Sequence, residues 1–427
     1  SYVRVRRMEK KQMKFVVFSL GCRVNQYEGQ SLIKELESRG FEATDKLEKA
    51  DYYIINTCSV TGEADRKSRQ TVARVLKLNP SAKIAICGCS SQNDAKPYKN
   101  KPNVTIIGGT SKKMSIIDSI MSDIVQGDFV SEPPKKYEDD LYCELTKTRG
   151  YIKVQDGCDN FCSYCIIPYL RGRSRSRSLC SIVNEANEMA KRTREIVVTG
   201  INVSDYGSDI GLTLFDLVHA LSAVPARKRF GSLECTVVDE KLLNEMKNGD
   251  WCDSVHLSMQ SGSDTVLRRM NRKYTSEFFI EKCDLIKRYF PDAGITTDVI
   301  VGFPGETDEE FDETVRVCRR AGFAWLHVFP YSSRKGTVAA KMKQVDAAVA
   351  EERAARLRAV SDELKTEFLT RQLGKIKEVY VEEEIDGMGA GFASDYVRVY
   401  CDAAPGTLTK QKITSLFRDG VKGEEIK

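Results

Sequence analysis

Residues 150–165 read GYIKVQDGCDNFCSYC. The first part, rich in Tyr, Ile and Val, predicts a strand, and it runs straight into a loop carrying Cys158, Cys162 and Cys165 in a C-x3-C-x2-C spacing. Parallel α/β folds place their chemistry at the carboxyl ends of strands, so the loop sits where a site is expected. Five further strand candidates follow, each leading into a helical or loop segment: EIVVTG (195–200), FGSLEC (230–235), SVHLSM (254–259), ITTDVIVG (295–302) and WLHVFPYS (325–332). Six βα units predict an open or partial (β/α)6 barrel, smaller than the eight-unit barrel of about 250 residues.

On the amino-terminal side the apolar runs KFVVFSL, DYYIINT, KIAICG and VTIIGG alternate with helical segments such as QSLIKELESRG and RKSRQTVARVLKLN. That alternation predicts a doubly wound parallel sheet. The charged, proline-bearing stretch DFVSEPPKKYEDD reads as a linker. On the carboxyl side, residues 345–373 form a helical pattern without glycine or proline. After Gly374, period-two stretches (KIKEVYVEE, YVRVY) predict a small β-barrel. The expected domains are residues 13–127, 140–372 and 373–427, all within an α/β protein.

The 427 residues are 41% hydrophobic and 30% charged, with a net charge of +5, which is ordinary for a globular chain and compatible with a nucleic-acid partner. No apolar run approaches the roughly 20 residues of a membrane helix. The basic start SYVRVRRMEKKQ lacks the apolar stretch of a secretory signal and reads as a ragged end before Met13; a cytoplasmic location, with no membrane partner, is the expectation.

Fourteen cysteines are many for a reducing compartment and point to metal or catalysis rather than disulfides. Three thiolates on one short loop can hold three irons of a cubane and leave the fourth open; a structural zinc site or unrelated buried thiols are the alternatives. Cys22, Cys58 and Cys89 each follow an apolar strand of the first domain, and strand ends of one parallel sheet share an edge. A second cubane there competes with three cysteines buried by chance. Cys87, two residues from Cys89, leaves the choice of ligand open. His219, His256 and His327 are isolated in sequence, which gives a histidine-rich metal site little support.

The C-x3-C-x2-C loop on the first strand of a six-unit barrel resembles radical S-adenosylmethionine (SAM) enzymes. The motifs GCRVNQYEG, NTCSVT and GCSSQ, with GCDNFCSYCIIPYLRGRSRSRS, VTGINVSDYG, LSMQSGS, RRMNRKYT, TDVIVGFPGE and VFPYSSRKGT, are similar to those of the methylthiotransferase family, and ASDYVRVY is similar to its terminal TRAM domain. This resemblance implies two [4Fe-4S] clusters, one on Cys158, Cys162 and Cys165 and one on Cys22, Cys58 and Cys89. It also implies SAM, a flavodoxin-type or similar electron donor, a sulfur source, and methylation of cluster-attached sulfur before radical attack on the substrate. The NQYEG stretch resembles the branch acting on N6-threonylcarbamoyladenosine beside the tRNA anticodon. Isopentenyladenosine in tRNA and an aspartate of a ribosomal protein are the alternative substrates.

Some members of the family pattern are replaced: Ser91, Ile201 and the SLECTVVD run depart from it, while Glu234 stays aligned. Gly200, Asn202, Glu234, Gln260, Asp298 and Phe303 follow or end barrel strands and are expected to bind SAM, with Phe303 against adenine; a simple turn at Gly302–Gly305 competes with that role. Arg171, Arg173, Arg175 and Arg177, at every second position, would face one side if extended and would bind RNA phosphates, a solvated loop being the alternative. Lys410, Lys412 and Arg418 would give the terminal barrel a second basic surface.

Overall fold

The computed structural model describes residues 13–426 apart from 102, 123–126, 141 and 143–147. The basic leader and Cys143 lie outside the described residues. The chain divides into two compact units: residues 1–144 with 169–172, and residues 145–168 with 173–427.

The first unit is built on a sheet whose paired strands are all parallel: β1 (Lys14–Ser19), β2 (Glu42–Thr44), β3 (Tyr52–Thr57), β4 (Lys83–Gly88), β5 (Val104–Gly108) and β6 (Gly127–Phe129), in the order β2-β1-β3-β4-β5-β6. The inner strands β1, β3, β4 and β5 are largely apolar because both faces are covered, while the short edge strands β2 (EAT) and β6 (GDF) are not. Phe15, Val17, Tyr52 and Ile54 pack beneath the helices Arg23–Ser38 and Lys113–Met121. Their neighbours Val16, Tyr53 and Ile55 point the other way, onto Val72 and Val75 of the helix Gly62–Leu78. The strand order reverses direction between β1 and β3, a topological switch point that opens a crevice at the carboxyl ends of those strands.

The second unit has six parallel strands, β7 (Gly150–Asp156), β9 (Glu195–Gly200), β10 (Arg227–Phe230), β11 (Val255–His256), β12 (Ile295–Val301) and β13 (Trp325–Pro330), with a short β8 (Arg175–Ser176) antiparallel to β7; five lie in the expected stretches, while β10 comes earlier than the expected FGSLEC and shares only Phe230 with it. Among the described residues they form two sheets, β10-β9-β7-β8 and β11-β12-β13, joined between β10 and β11 only by the isolated bridges Lys228↔Trp251 and Leu233↔Leu257, with no pairing between β13 and the β7–β8 edge. The barrel is therefore open. The helix Ala347–Thr370 packs on β13, where Ser361 Oγ accepts the Leu326 N–H at 3.0 Å. A closed barrel follows, made from β14 (Ile376–Ile385), β15 (Met388–Ala393), β16 (Arg398–Cys401), β17 (Leu408–Phe417) and β18 (Gly420–Glu425).

This terminal barrel belongs to the same compact unit as the six-stranded one. Buried Glu195 on β9 accepts from Arg227 Nε at 2.6 Å and from Arg229 Nε at 2.8 Å. The same guanidinium groups donate onward to backbone carbonyls of the terminal barrel: Arg227 to Glu378 (3.3 Å) and Phe392 (2.6 Å), Arg229 to Ala393 (3.0 Å) and Ser394 (3.1 Å). Among the described residues no helix is long and apolar enough to cross a membrane.

Candidate active site and a second cysteine edge

At the carboxyl ends of β7, β9 and β10 a pocket gathers Cys158, Cys162 and Cys165 with Asn202, Glu234 and Gln260. The loop is fixed by its own backbone: Ser163 N–H donates to Met270 O at 3.0 Å, and Asn271 Nδ2 holds the Phe161 carbonyl at 3.0 Å. Phe161, Gln260 and Asn271 all have positive φ (45°, 68° and 62°), a costly backbone state that concentrates at functional sites.

Burial pushes the Cys158 and Cys165 thiols up to about 12, against the pull of the Asn160 and Ile167 backbone N–H groups respectively. Donors for sulfur are nonetheless in place. Asn160 N–H lies 3.5 Å and Asn202 Nδ2 3.8 Å from Cys158 Sγ, and Arg272 Nη1 lies 3.4 Å from Cys162 Sγ. Arg272 also pairs with Glu234, whose carboxyl burial pushes up and Arg272 draws down. Three cysteines on one loop, with donors suited to thiolates, fit the cluster and SAM implied by this kind of loop.

The second triad lies at the edge predicted for it. Cys22 follows β1 and Cys58 follows β3, on either side of the switch point, and Cys89 follows β4. Cys22 feels the charge of Cys89, and Cys58 that of both Cys89 and Cys22. Gly21 has φ +87° and a Cβ there would stand 2.4 Å from Cys58 Sγ, so only glycine allows the approach. Cys22 caps the amino end of the helix Arg23–Ser38, where the helix dipole favours a thiolate. Burial raises its thiol, and Arg171 with the Asn25 backbone opposes that rise. Cys87 and Cys89 do not face one way, because the strand stops at Gly88. Cys87 is sealed in the core, with Asn56 Oδ1 3.8 Å from its sulfur, while Cys89 begins a helix.

Beneath this edge, Asn25 and Glu28 of NQYEG are fully buried. Glu28 pairs with Lys113 and accepts from Arg171 at 3.0 Å; Asn25 accepts from Arg171 at 2.8 Å and donates to Leu20 O and Thr57 O.

Several expected roles do not survive these positions. Arg171, Arg175 and Arg177 are buried, so they do not present guanidinium groups to RNA. The segment is not extended: a helix ends at Arg171 and Gly172 (φ +76°) turns the chain. Arg175 lies near Asp156 (3.7 Å), and Arg177 pairs with Glu185 and Ser181. Arg173 alone of the four is exposed, 3.1 Å from Asp159. Phe303 offers no face to adenine, because its ring is enclosed by Val266, Met270 and Ala339. Gly302 and Gly305 adopt φ +67° and +73°, which is the turn reading. Asp298 lies outside the pocket lining and pairs with His256 (Nε2 to Oδ2 3.3 Å), and Gly200 packs on Gln155 beside it. Sequence reasoning missed Arg272 and Asn271; the RRMNRKYT motif was the available signal.

A three-cysteine loop over a pocket at the mouth of an open six-strand barrel defines the radical SAM class. The Radical SAM superfamily model matches residues 152–318, and the model described as Uncharacterized protein family UPF0004 matches residues 14–109. The chain belongs to the radical SAM methylthiotransferase family. It is 37% identical, over 89% of its length and 88% of the relative's, to the threonylcarbamoyladenosine tRNA methylthiotransferase MtaB of Bacillus subtilis (strain 168). To the protein of that name from Thermotoga maritima it is 36% identical, over 94% and 95%. The tRNA-2-methylthio-N(6)-dimethylallyladenosine synthase of Bacillus subtilis (strain 168) is 35% identical, over 87% and 76%. Among solved structures, the radical SAM methyltransferase TsrM from Kitasatospora setae shares the fold, with a TM-score of 0.55 at 14% identity over 77% of each chain. Membership carries with it SAM and a [4Fe-4S] cluster.

Proposed function

We propose that this chain transfers a methylthio group to carbon 2 of N6-threonylcarbamoyladenosine next to the tRNA anticodon, using one [4Fe-4S] cluster on Cys158, Cys162 and Cys165 and another on Cys22, Cys58 and Cys89. The observation that carries the reading is the second cysteine triad at the switch point of a separate sheet, in a chain whose relatives at 36–37% identity bear that activity in their names. When bound, the cluster of the central loop and SAM supply a carbon radical able to take hydrogen from an unactivated carbon.

The chain's own residues do the rest. Asn160, Asn202 and Arg272 donate toward the sulfurs and hold the loop cysteines in place. Glu234, kept in position by Arg272, and Gln260 offer acceptors and donors at the rim for the polar ends of SAM. Ile167, Ile201 and Leu233 line the same pocket and keep water from it. Beneath Cys22, Glu28 is shared by two cations, Lys113 and Arg171, and the Arg171 charge opposes the rise that burial imposes on the Cys22 thiol. Residues 13–127 would then present sulfur, residues 140–372 would generate the radical, and residues 373–427 would hold RNA. A reductant of flavodoxin type and a sulfur donor complete the cycle.

Nucleoside mass spectrometry of tRNA from cells with and without the protein tests the substrate. The methylthiolated threonylcarbamoyl nucleoside should vanish with the gene. Loss of the dimethylallyl counterpart instead would favour the second reading that the 35%-identical relatives support. An unchanged tRNA profile would move the substrate to a protein. Replacing Cys158, Cys162 and Cys165 together by alanine should abolish 5′-deoxyadenosine formation while the absorbance of a cluster on the first unit persists.

A further inference from the structure

Two of the three histidines, 71 positions apart, meet on the wall of the open barrel. His256 on β11, Asp298 on β12 and His327 on β13 place one ligand atom each within 4.8 Å of one another. They occupy three adjacent strands; Asp298 is in register with His327, and Thr296, two residues earlier, with His256. We propose that these three side chains form a site for one divalent first-row transition ion, separate from both cysteine triads.

Three features separate this site from a chance contact. The donor set, two imidazoles and one carboxylate on one side, is the three-ligand face that binds such ions and leaves other positions open. The His256 Nε2 to Asp298 Oδ2 distance of 3.3 Å matches the separation of neighbouring ligands on an ion with bonds of about 2.1 Å, which is about 3 Å. The far nitrogen of His256 is already engaged, Nδ1 lying 2.9 Å from Thr296 Oγ1, a hydroxyl that can accept its N–H and so fix the tautomer that leaves Nε2 for a metal. All three groups are partly exposed, so an ion can enter. Side chains alternate along a strand segment, so His256 shares a face with Ser258 and Gln260, which line the SAM pocket. The open positions of the ion thus face the barrel interior, within the same wall, available to water or to an oxygen donor of a bound substrate.

The test uses reconstituted holoenzyme and Mn2+ as probe. Anaerobic equilibrium dialysis followed by elemental analysis should find one Mn2+ per chain beyond the cluster iron, and a parallel dialysis against Zn2+ should show the two ions competing for that one position. His327→Gln and Asp298→Asn, which keep size and hydrogen bonding, should each weaken binding at least tenfold. Thr296→Val should weaken it less, and the cluster absorbance should be unchanged in all three. Electron spin-echo envelope modulation of bound Mn2+ should show coupling to two imidazole nitrogens in the natural chain and to one in His327→Gln. Absence of stoichiometric binding of either ion, or equal binding by the variants, overturns the site. Neither result depends on which nucleoside the enzyme modifies.

Discussion

Glu28 stands in a motif that, read as sequence, marks the substrate branch. In the fold its carboxylate is fully buried between Lys113 and Arg171, so it supports the cysteine edge from within and does not meet a substrate directly. Removing it leaves two cations buried without their counter-charge, a loss of about 3–5 kcal/mol. Glu28→Ala should therefore unfold the first unit at a distinctly lower urea concentration. Glu28→Asp, one methylene short, should lose stability and leave the identity of the modified nucleoside unchanged; a switch of product in that variant would show that the residue selects the substrate. At the same scale, Arg272→Ala should slow SAM cleavage by about 10- to 100-fold, since it both holds Glu234 and donates toward Cys162. The rate of 5′-deoxyadenosine formation under strong reductant reads this out, and rescue by Arg272→Lys should be partial because one ammonium cannot make both contacts.

At the scale of elements, the seam between the six-stranded barrel and the terminal one turns on Glu195. Burial would raise its carboxyl, yet Arg229, Arg227 and Arg149 win and draw it down to about 2. A carboxylate held below its unfolded value near 4.5 contributes stability that is complete above that value and disappears as pH falls toward 2. The shift corresponds to about 3 kcal/mol at neutral pH. Urea midpoints measured between pH 7 and pH 3 should fall with acid in the natural chain, and Glu195→Gln should begin lower and fall less. Equal slopes would remove Glu195 from the account. Five of the six strands of the second unit were legible as apolar runs ending in polar loops; β10 was not, because its residues Arg227–Phe230 read RKRF and the charges that bury themselves against Glu195 hide the strand. The cysteine edge was legible for the same reason, because strand ends of one sheet converge whatever their distance along the chain. The histidine group obeys that rule too, but a lone histidine in a strand carries no signal of its own, so His256 and His327 read as bystanders. The arginine run was misread because alternation implies one face only in extended chain, and Gly172 breaks the extension.

For the whole molecule, the contacts available to RNA are fewer than composition suggests. With Arg171, Arg175 and Arg177 buried, the exposed cations left from these two basic stretches are Arg173 and, on the terminal barrel, Lys410, Lys412 and Arg418. Arg418 is itself 2.8 Å from Asp386. These two stretches can then contribute only a few phosphate contacts to the salt dependence of tRNA binding. Lys410→Ala with Lys412→Ala should reduce the slope of log affinity against log salt by about 1.4–1.8, and Arg173→Ala by less than about 1. Filter binding across a salt series gives both numbers, and an unchanged slope in the double variant would place the RNA elsewhere.

The seam at Glu195 has one more property. Arg227 and Arg229 grip the terminal barrel through the carbonyls of Glu378, Phe392, Ala393 and Ser394, atoms that every amino acid possesses. Side chains across much of that barrel's surface are therefore free to drift without loosening this attachment. Selection can rewrite the barrel's outward side chains while the rest of the unit stays as it is, and a foreign barrel of the same backbone path that keeps the side-chain partners Tyr380 and Glu382 should graft onto this chain with its own ligand preference intact.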